Sequence, residues 1–348
     1  MLKGRGTDAT PANRYDELHV ELEYDDDNPP PEKVNTVYYR DASRAILAEN
    51  QSPDVGFRWS LNPYRGCLHG CSYCYARPSH EQLGFNAGID FETRIMVKPD
   101  APELLRKTFL SPRWTPEIVS LSGNTDCYQP VERTLGITRR CLEVFAEFRN
   151  PVGIITKSAL VMRDVDLLRE LARHGVVHVF SSITSLDPEL AARLEPRAAR
   201  PYRRLEAVAT LAAAGVPVAV MIGPVIPGLN DEEIPRILQA AKKAGACTAS
   251  WVLLRLAPPL DAIFARWLDD HFPEKKSRVL NRIRDTRGGS INDSRWGVRQ
   301  RGQGAYAEQI RALFTAAARK HGLDGTLPAL RADAFRRPPR AGEQMSLL

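Results

Sequence analysis

No stretch of this 348-residue sequence approaches the ~18 uninterrupted apolar residues of a membrane span, so a membrane-embedded function is not expected. The first residues, MLKGRGTDATPANRYDE, lack the apolar core of a secretory signal, and the expected location is cytoplasmic. Cysteine is scarce as well. Of six cysteines, three fall within eight positions at Cys67, Cys71 and Cys74, while Cys127, Cys141 and Cys247 are scattered. That distribution argues against a disulfide framework and for a metal site in a reducing compartment. No internal repeat is visible beyond an alternation of strand-like and helix-like segments.

What is present is the composition of a folded protein, with 43% hydrophobic and 26% charged residues. The length suits one large domain with extensions. A net charge of +6 conceals an asymmetry: residues 271–340 carry 16 Lys or Arg against 6 Asp or Glu, leaving the rest at −4. A basic partner surface would therefore be C-terminal.

Three regions are expected. Residues 1–55 read as an irregular arm, with eight acids and no Lys or Arg between Asp16 and Glu32, including Asp25, Asp26 and Asp27. Residues 56–257 alternate β-branched runs with helical periodicity, as βαβ units around a parallel sheet do. Strands are expected near Arg58–Tyr64, Glu117–Leu121, Val152–Thr156, Val176–Ile183, Val216–Ile222 and Thr248–Leu256. Helices are expected after Cys74 and over Val131–Phe148, Arg163–His174, Arg203–Ala214 and Glu232–Ala244. Gly175, Gly215 and Gly245 stand where a positive φ would stop three of these helices. Right-handed crossovers would wind the six units into a partial barrel or an open sheet, with chemistry at the strand ends. Residues 258–348 read as a basic helical extension.

The first strand-end loop reads Asn62-Pro63-Tyr64-Arg65-Gly66-Cys67-Leu68-His69-Gly70-Cys71-Ser72-Tyr73-Cys74-Tyr75-Ala76-Arg77. Three thiolates spaced C-x3-C-x2-C can ligate three irons of a cubane and leave the fourth iron without a protein ligand. No fourth cysteine follows at short spacing. Gly66 and Gly70 allow the backbone to fold closely round a cluster. The competing reading is a zinc site of the three cysteines with His69 or His80.

This loop, placed after a first strand and followed by the αβ rhythm over roughly Arg58 to Leu256, resembles the radical S-adenosylmethionine (SAM) superfamily, in a branch related to spore photoproduct lyase. The resemblance implies a partial (β/α)6 TIM-type barrel and one 4Fe-4S cluster held by Cys67, Cys71 and Cys74. It implies SAM on the open iron, cleaved reductively to methionine and a 5′-deoxyadenosyl radical that abstracts hydrogen from a substrate. Tyr73 would pack beside adenine.

Superfamily members commonly carry a Gly-Gly-Glu segment after the second strand, and this chain does not. Gly123, Asn124, Thr125 and Asp126 are its positional substitutes, with Asp126 the choice if a carboxylate is required. The alternative is an ordinary polar turn. The resemblance further implies SAM contacts from Lys157 after the third strand, from Ser181 and Ser182 after the fourth, and from Arg197, which a helix-terminal ion pair explains equally well. Two residues stand as candidate catalytic groups: Cys127 as a hydrogen donor or a buried inert cysteine, and Tyr75 as a radical or proton relay. Asn230 or Asp231 is expected to cap the next helix.

The C-terminal segment combines Arg282, Arg284, Arg287, Arg295, Arg299 and Arg301 with Trp296. Such residues bind phosphate backbone and stack a base, or form a solvated helical face. Two functions follow. One is a radical SAM enzyme with an electron donor such as flavodoxin or ferredoxin, acting on an unknown substrate and open to nucleic acid through the extension. The other is a non-catalytic iron-sulfur carrier or redox sensor on the same scaffold.

Overall fold

The computed structural model describes residues 2–16 and 33–338; the Asp25–Asp27 run lies outside them. The strands are β1 (Val37–Arg40), β2 (Leu47–Glu49), β3 (Trp59–Leu61), β4 (Tyr64–Arg65), β5 (Arg94–Val97), β6 (Val119–Leu121), β7 (Val152–Thr156), β8 (Val177–Ser182), β9 (Val218–Val225) and β10 (Thr248–Leu253). The helices are α1 (Asp90–Thr93), α2 (Ala101–Leu110), α3 (Glu132–Leu135), α4 (Ile137–Phe148), α5 (Val165–Arg173), α6 (Pro188–Leu194), α7 (Pro201–Ala213), α8 (Ile234–Lys243), α9 (Leu260–His271), α10 (Pro273–Asp285) and α11 (Ala305–His321).

Seven strands form the main sheet in the order β10-β9-β8-β7-β6-β3-β2. All neighbours are parallel except β2, which pairs antiparallel with β3. The six parallel strands are the partial (β/α)6 barrel, and their carboxyl ends open on one side. Val119, Val152, Ile154, Val179, Val218 and Val220 are buried, because a parallel sheet covered by helices must be apolar on the faces it hides. In α4, Ile137, Cys141, Val144, Phe145 and Phe148 recur on one face and are buried. Phe109 of α2 meets Phe145 and Phe148 at centroid separations of 5.5 and 5.6 Å. Truncating either partner to Ala would cost about 3–5 kcal/mol.

Several expected boundaries move for identifiable reasons. The strand expected over Arg58–Tyr64 stops at Leu61, and β4 turns away to pair with β5. Pro63 has no N–H to continue a ladder, and the Asn62 side chain turns instead to accept the backbone N–H groups of Asn124 and Thr125. The helix expected over Val131–Phe148 breaks into α3 and α4 at Gly136, where φ is +62°. Gly175, Gly215 and Gly245 do adopt positive φ at 68°, 78° and 93°. Asn230 does not cap α8. Its amide accepts from Ile226 N–H and donates to the carbonyls of Thr184 and Pro224, which pins the loop after β9.

The N-terminal region expected to be irregular contains β1 and β2, and its described first residues pack closely. Gly6 N–H donates to Glu92 at 3.0 Å and Arg5 to the Glu92 carbonyl at 3.0 Å. Strand β1 pairs with β5, more than fifty residues later in the chain. The C-terminal helices lie on the barrel: Ile263, Phe264, Trp267 and Leu268 of α9 are buried. The open edge of β10 is covered by the same extension, Leu253 N–H donating to Gln300 and Ala249 N–H to Leu323.

Candidate active site

The cysteine loop leaves β4 and is braced from four sides. Cys67 N–H donates to Phe91 O at 2.8 Å, Ser72 N–H to Leu194 O at 3.0 Å and Arg197 N–H to His69 O at 3.2 Å. The buried Gln129 amide accepts from Leu68 N–H at 2.9 Å and donates to Gly66 O at 3.2 Å. Arg77, three residues past Cys74, donates to Cys71 O at 2.9 Å and forms a fully buried ion pair with Glu92. Gly6 lies so close that a Cβ there would stand 1.6 Å from Gly70 O. The arm is therefore part of the loop's packing.

Cys67, Cys71 and Cys74 are free thiols. Burial pushes the Cys67 thiol up to about 12 and raises Cys71 and Cys74 as well, so each remains protonated until a metal displaces the proton. Among the described residues no three Cys, His, Asp or Glu side chains converge on a single-ion site. Three thiols spread round one tight loop suit the corners of an iron-sulfur cubane, which a mononuclear zinc site does not require. His80, the other zinc ligand considered, packs against Phe85 and Phe91 at 5.2 and 5.6 Å.

The loop opens on a cavity of about 720 Å³ at the carboxyl ends of the barrel strands. Cys67, Cys71, Cys74, Tyr73, Tyr75 and Lys157 line it, together with Gly123 to Asp126 and Ser182. Tyr73 is held by its hydroxyl, which donates to Glu195 and lies 3.2 Å from Thr184 Oγ1. Burial, then Glu195, raises the Tyr73 phenol well above its usual range, so it acts as a neutral donor. Burial alone would raise Glu195, but the Arg204 and Lys157 charges reverse it and hold the carboxyl down at about 2. Lys157 Nζ stands 5.8 Å from the Tyr73 ring centroid, a cation–π arrangement at the cavity wall.

The segment after β6 is built round its neighbours. A Cβ on Gly123 would lie 2.9 Å from Ser60 Cβ. Thr125 donates to Tyr64 O at 2.6 Å and Asn124 to Ser79 Oγ at 3.2 Å. The Asp126 carboxylate accepts from Thr156 Oγ1 at 2.8 Å, Lys157 N–H at 2.8 Å and Tyr128 N–H at 2.9 Å. His69 Nδ1 is 3.4 Å from it, and burial keeps that imidazole neutral.

Three expected site residues are not brought to the cavity. Arg197 donates through Nε to Gly4 O at 3.1 Å and lies outside the cavity lining; it is Arg204, not Arg197, that faces the Tyr73–Glu195 pair. Ser181 alternates with Ser182 on β8, so only Ser182 lines the cavity. Cys127 is fully buried in the main core, behind Ser122, whose hydroxyl accepts its N–H. Tyr75 does line the cavity, although 56% exposed, and its hydroxyl donates to Gly123 O at 2.8 Å. Arg204, Thr184, Gln129 and Asn62 carry no local motif: Gln129, Asn62 and Thr184 act through Leu68, Asn124 and Tyr73, far along the chain, and Arg204 reaches Glu195 only once α7 is packed. Of the C-terminal basic residues, Arg295 is paired with Asp293 and Arg299 with Asp54, while Trp296 is 62% exposed. Among the described residues no helix is long and apolar enough to cross a membrane.

The family model of the Radical SAM superfamily matches residues 61–241. An uncharacterised protein of Mycobacterium tuberculosis (strain H37Rv) is 38% identical over 236 residues, covering 66% of this chain and 69% of that protein. A radical SAM Nalpha-GlyT isomerase of Pseudomonas phage M6 is 26% identical over 210 residues, 60% of this chain and 42% of the isomerase. A spore photoproduct lyase structure with bound AdoMet and dinucleoside spore photoproduct aligns with a TM-score of 0.54 at 15% identity, covering 82% of this chain and 78% of that one, a likeness of fold. With the family model spanning more than half of its length, from the end of the first barrel strand into α8, this chain belongs to the radical SAM superfamily, the enzymes of SAM-dependent radical chemistry.

Proposed function

We propose that this protein binds one 4Fe-4S cluster through Cys67, Cys71 and Cys74 and cleaves SAM reductively, the resulting 5′-deoxyadenosyl radical taking hydrogen from a substrate held in the same cavity. The observation that carries this reading is the shared cavity: the three thiols, Tyr73, Lys157 and Asp126 all line one concave space. The cluster, when bound, supplies the electron for sulfonium cleavage.

The chain's own residues bind and orient. Lys157 offers a cation to the SAM carboxylate, and Asp126, fixed by Thr156 and the Lys157 N–H, offers an acceptor to its amine. Tyr73 sets a rigid aromatic face beside the last cysteine, because Glu195 and Thr184 hold its hydroxyl and Arg204 holds Glu195. Ser182 and Asn124 supply further polar contacts at neighbouring strand ends. Gly123 keeps the second strand end close to Ser60.

A low-potential electron donor of the flavodoxin or ferredoxin kind is the expected reductant. The exposed Trp296 on a basic extension supports a nucleic acid as one partner to be assayed. Anaerobically reconstituted protein, reduced with dithionite and incubated with SAM, is expected to release methionine and 5′-deoxyadenosine. An intact cluster by EPR with no 5′-deoxyadenosine would favour the carrier or sensor instead.

A further inference from the structure

Three arginines line the cavity that the cysteines open on: Arg255, just past the end of β10, and Arg299 and Arg301 from the C-terminal extension. The extension is tied to β10 here. Arg287 is buried and donates to Leu254 O at 2.6 Å and Val298 O at 3.0 Å. Two of the three lining guanidiniums are accounted for. Arg299 is paired with Asp54 and donates to Ser52 Oγ, and Arg301 lies 4.8 Å from the Trp251 ring centroid.

Arg255 is different. Among the described residues it makes no hydrogen bond and no ion pair, and its Nε is buried without a partner. Within β10, and lining the same cavity, the Ser250 hydroxyl is also buried without a partner. Buried donors left unsatisfied cost free energy, and a desolvated guanidinium more so. Burial, then the neighbouring Arg299, lower the Arg255 pKa; Tyr75 and Asp54 oppose this more weakly, and the Asp54 carboxylate is already engaged by Arg299 and the Gly297 N–H. A guanidinium fork matches the two oxygens of a carboxylate or phosphate.

The SAM carboxylate has another cation nearer its expected position. Lys157 follows β7, and β10 is three strands away from β7 in the sheet. The cavity wall also carries apolar side chains, among them Val252, Leu254, Met221 and Phe57. Tyr75, next to the last cysteine, is within electrostatic range of the Arg255 guanidinium. An occupant of the cavity that meets Arg255 would present an oxyanion to it.

We propose that Arg255 is the anion-recognition site for the substrate, which therefore carries a carboxylate or phosphate group. The proposal rests on the reading of the cavity as a radical SAM active site, and it names the substrate class for that site. Arg255 is a binding and orienting residue that fixes one end of the substrate so that another part of it faces the cluster loop.

The test is calorimetric titration of the anaerobic, cluster-loaded protein with inorganic phosphate and, separately, with acetate, at low ionic strength. Arg255→Gln is expected to weaken the better-bound anion at least tenfold, and Arg255→Lys, which keeps the charge and loses the fork, by a smaller factor. Lys243→Gln removes one charge from the exposed side of α8 and is expected to leave the titration as it was. Phosphate binding tighter than acetate would assign a phosphorylated substrate, and the reverse a carboxylate. Anion affinity unchanged in Arg255→Gln overturns the proposal. So does a SAM dissociation constant raised tenfold in Arg255→Gln, which would give Arg255 to the SAM carboxylate. The titration reads independently of SAM cleavage, so a protein that binds the anion at Arg255 yet releases no 5′-deoxyadenosine would count against the enzyme reading alone.

Discussion

Glu195 and Arg204 form an ion pair whose side chains are 0% and 2% exposed, and the Tyr73 hydroxyl donates to the same carboxylate. The pair ties α7 to the residue that follows α6 and, through Tyr73, to the cysteine loop. Arg204 also donates to Ser182 O at 3.0 Å, reaching the fourth barrel strand.

Glu195→Gln is expected to leave the Arg204 charge buried without its partner, costing about 3–5 kcal/mol. In a chain of this size that is a fall in melting temperature of about 4–7 °C, readable by calorimetry. The double variant Glu195→Gln with Arg204→Met should recover part of it. The pH dependence follows from the folded carboxyl, which is held at about 2 against an ordinary 4.5. A lowered carboxylate contributes stability that is present above pH 4.5 and lost as pH falls towards 2. The stability gap between wild type and Glu195→Gln should therefore narrow over that window, measured by denaturant titration at stepped pH.

Cys127→Ala is expected to keep iron content, cluster absorbance and 5′-deoxyadenosine release, at a stability cost of roughly 1–2 kcal/mol for a small buried deletion. Cys71→Ala should lose the cluster absorbance altogether. Loss of activity in Cys127→Ala with the cluster intact would restore Cys127 as a reacting group.

Gly6→Ala places a Cβ where Gly70 O already stands, at 1.6 Å. Residues 2–16 should come off the cysteine loop. The expected signs are faster hydrogen exchange at Gly70 and Cys71, new proteolytic cuts before residue 17 and a shorter half-life of bound iron in air. Unchanged exchange at the loop would show that the segment can shift without loosening it.

Lys157→Met removes the cation over the Tyr73 ring. If Lys157 meets the SAM carboxylate, equilibrium dialysis should show SAM binding weakened by at least tenfold, since a charge-assisted contact is worth about 1.5–3 kcal/mol. Iron content should not change.

Much of the scaffold could be read along the chain, because it is written in local signals. The run Val152–Thr156 coincides with β7, since β-branched residues stand between Pro151 and a polar Lys-Ser stop. The spacing of Cys67, Cys71 and Cys74 identified the loop for the same reason: all three ligands lie on one short segment. What could not be read was set by distant partners. Strand β1 exists because Arg94–Val97 offers it a ladder, and nothing near Val37 announces that. Ser181 and Ser182 are indistinguishable until the pleat of β8 sends one inward. Arg197 and Arg204 are both plausible beside a carboxylate, and only the packing of α7 decides that Arg204 reaches Glu195. The unpartnered state of Arg255 is invisible in sequence altogether.

The ion pair between Asp54 and Arg299 joins residues 245 positions apart, and Gly297 N–H donates to the same carboxylate at 2.7 Å. Asp54 lies between the strands β2 and β3 at one rim of the incomplete barrel, and Arg299 sits beside β10 at the other. The gap in the wall is thus fastened by one clasp from each extension, and the width of the entrance is a property of the flanking sequences. Relatives with the same six strands but different flanks would admit molecules of different girth, so selectivity in such proteins can diverge without any change to the barrel itself.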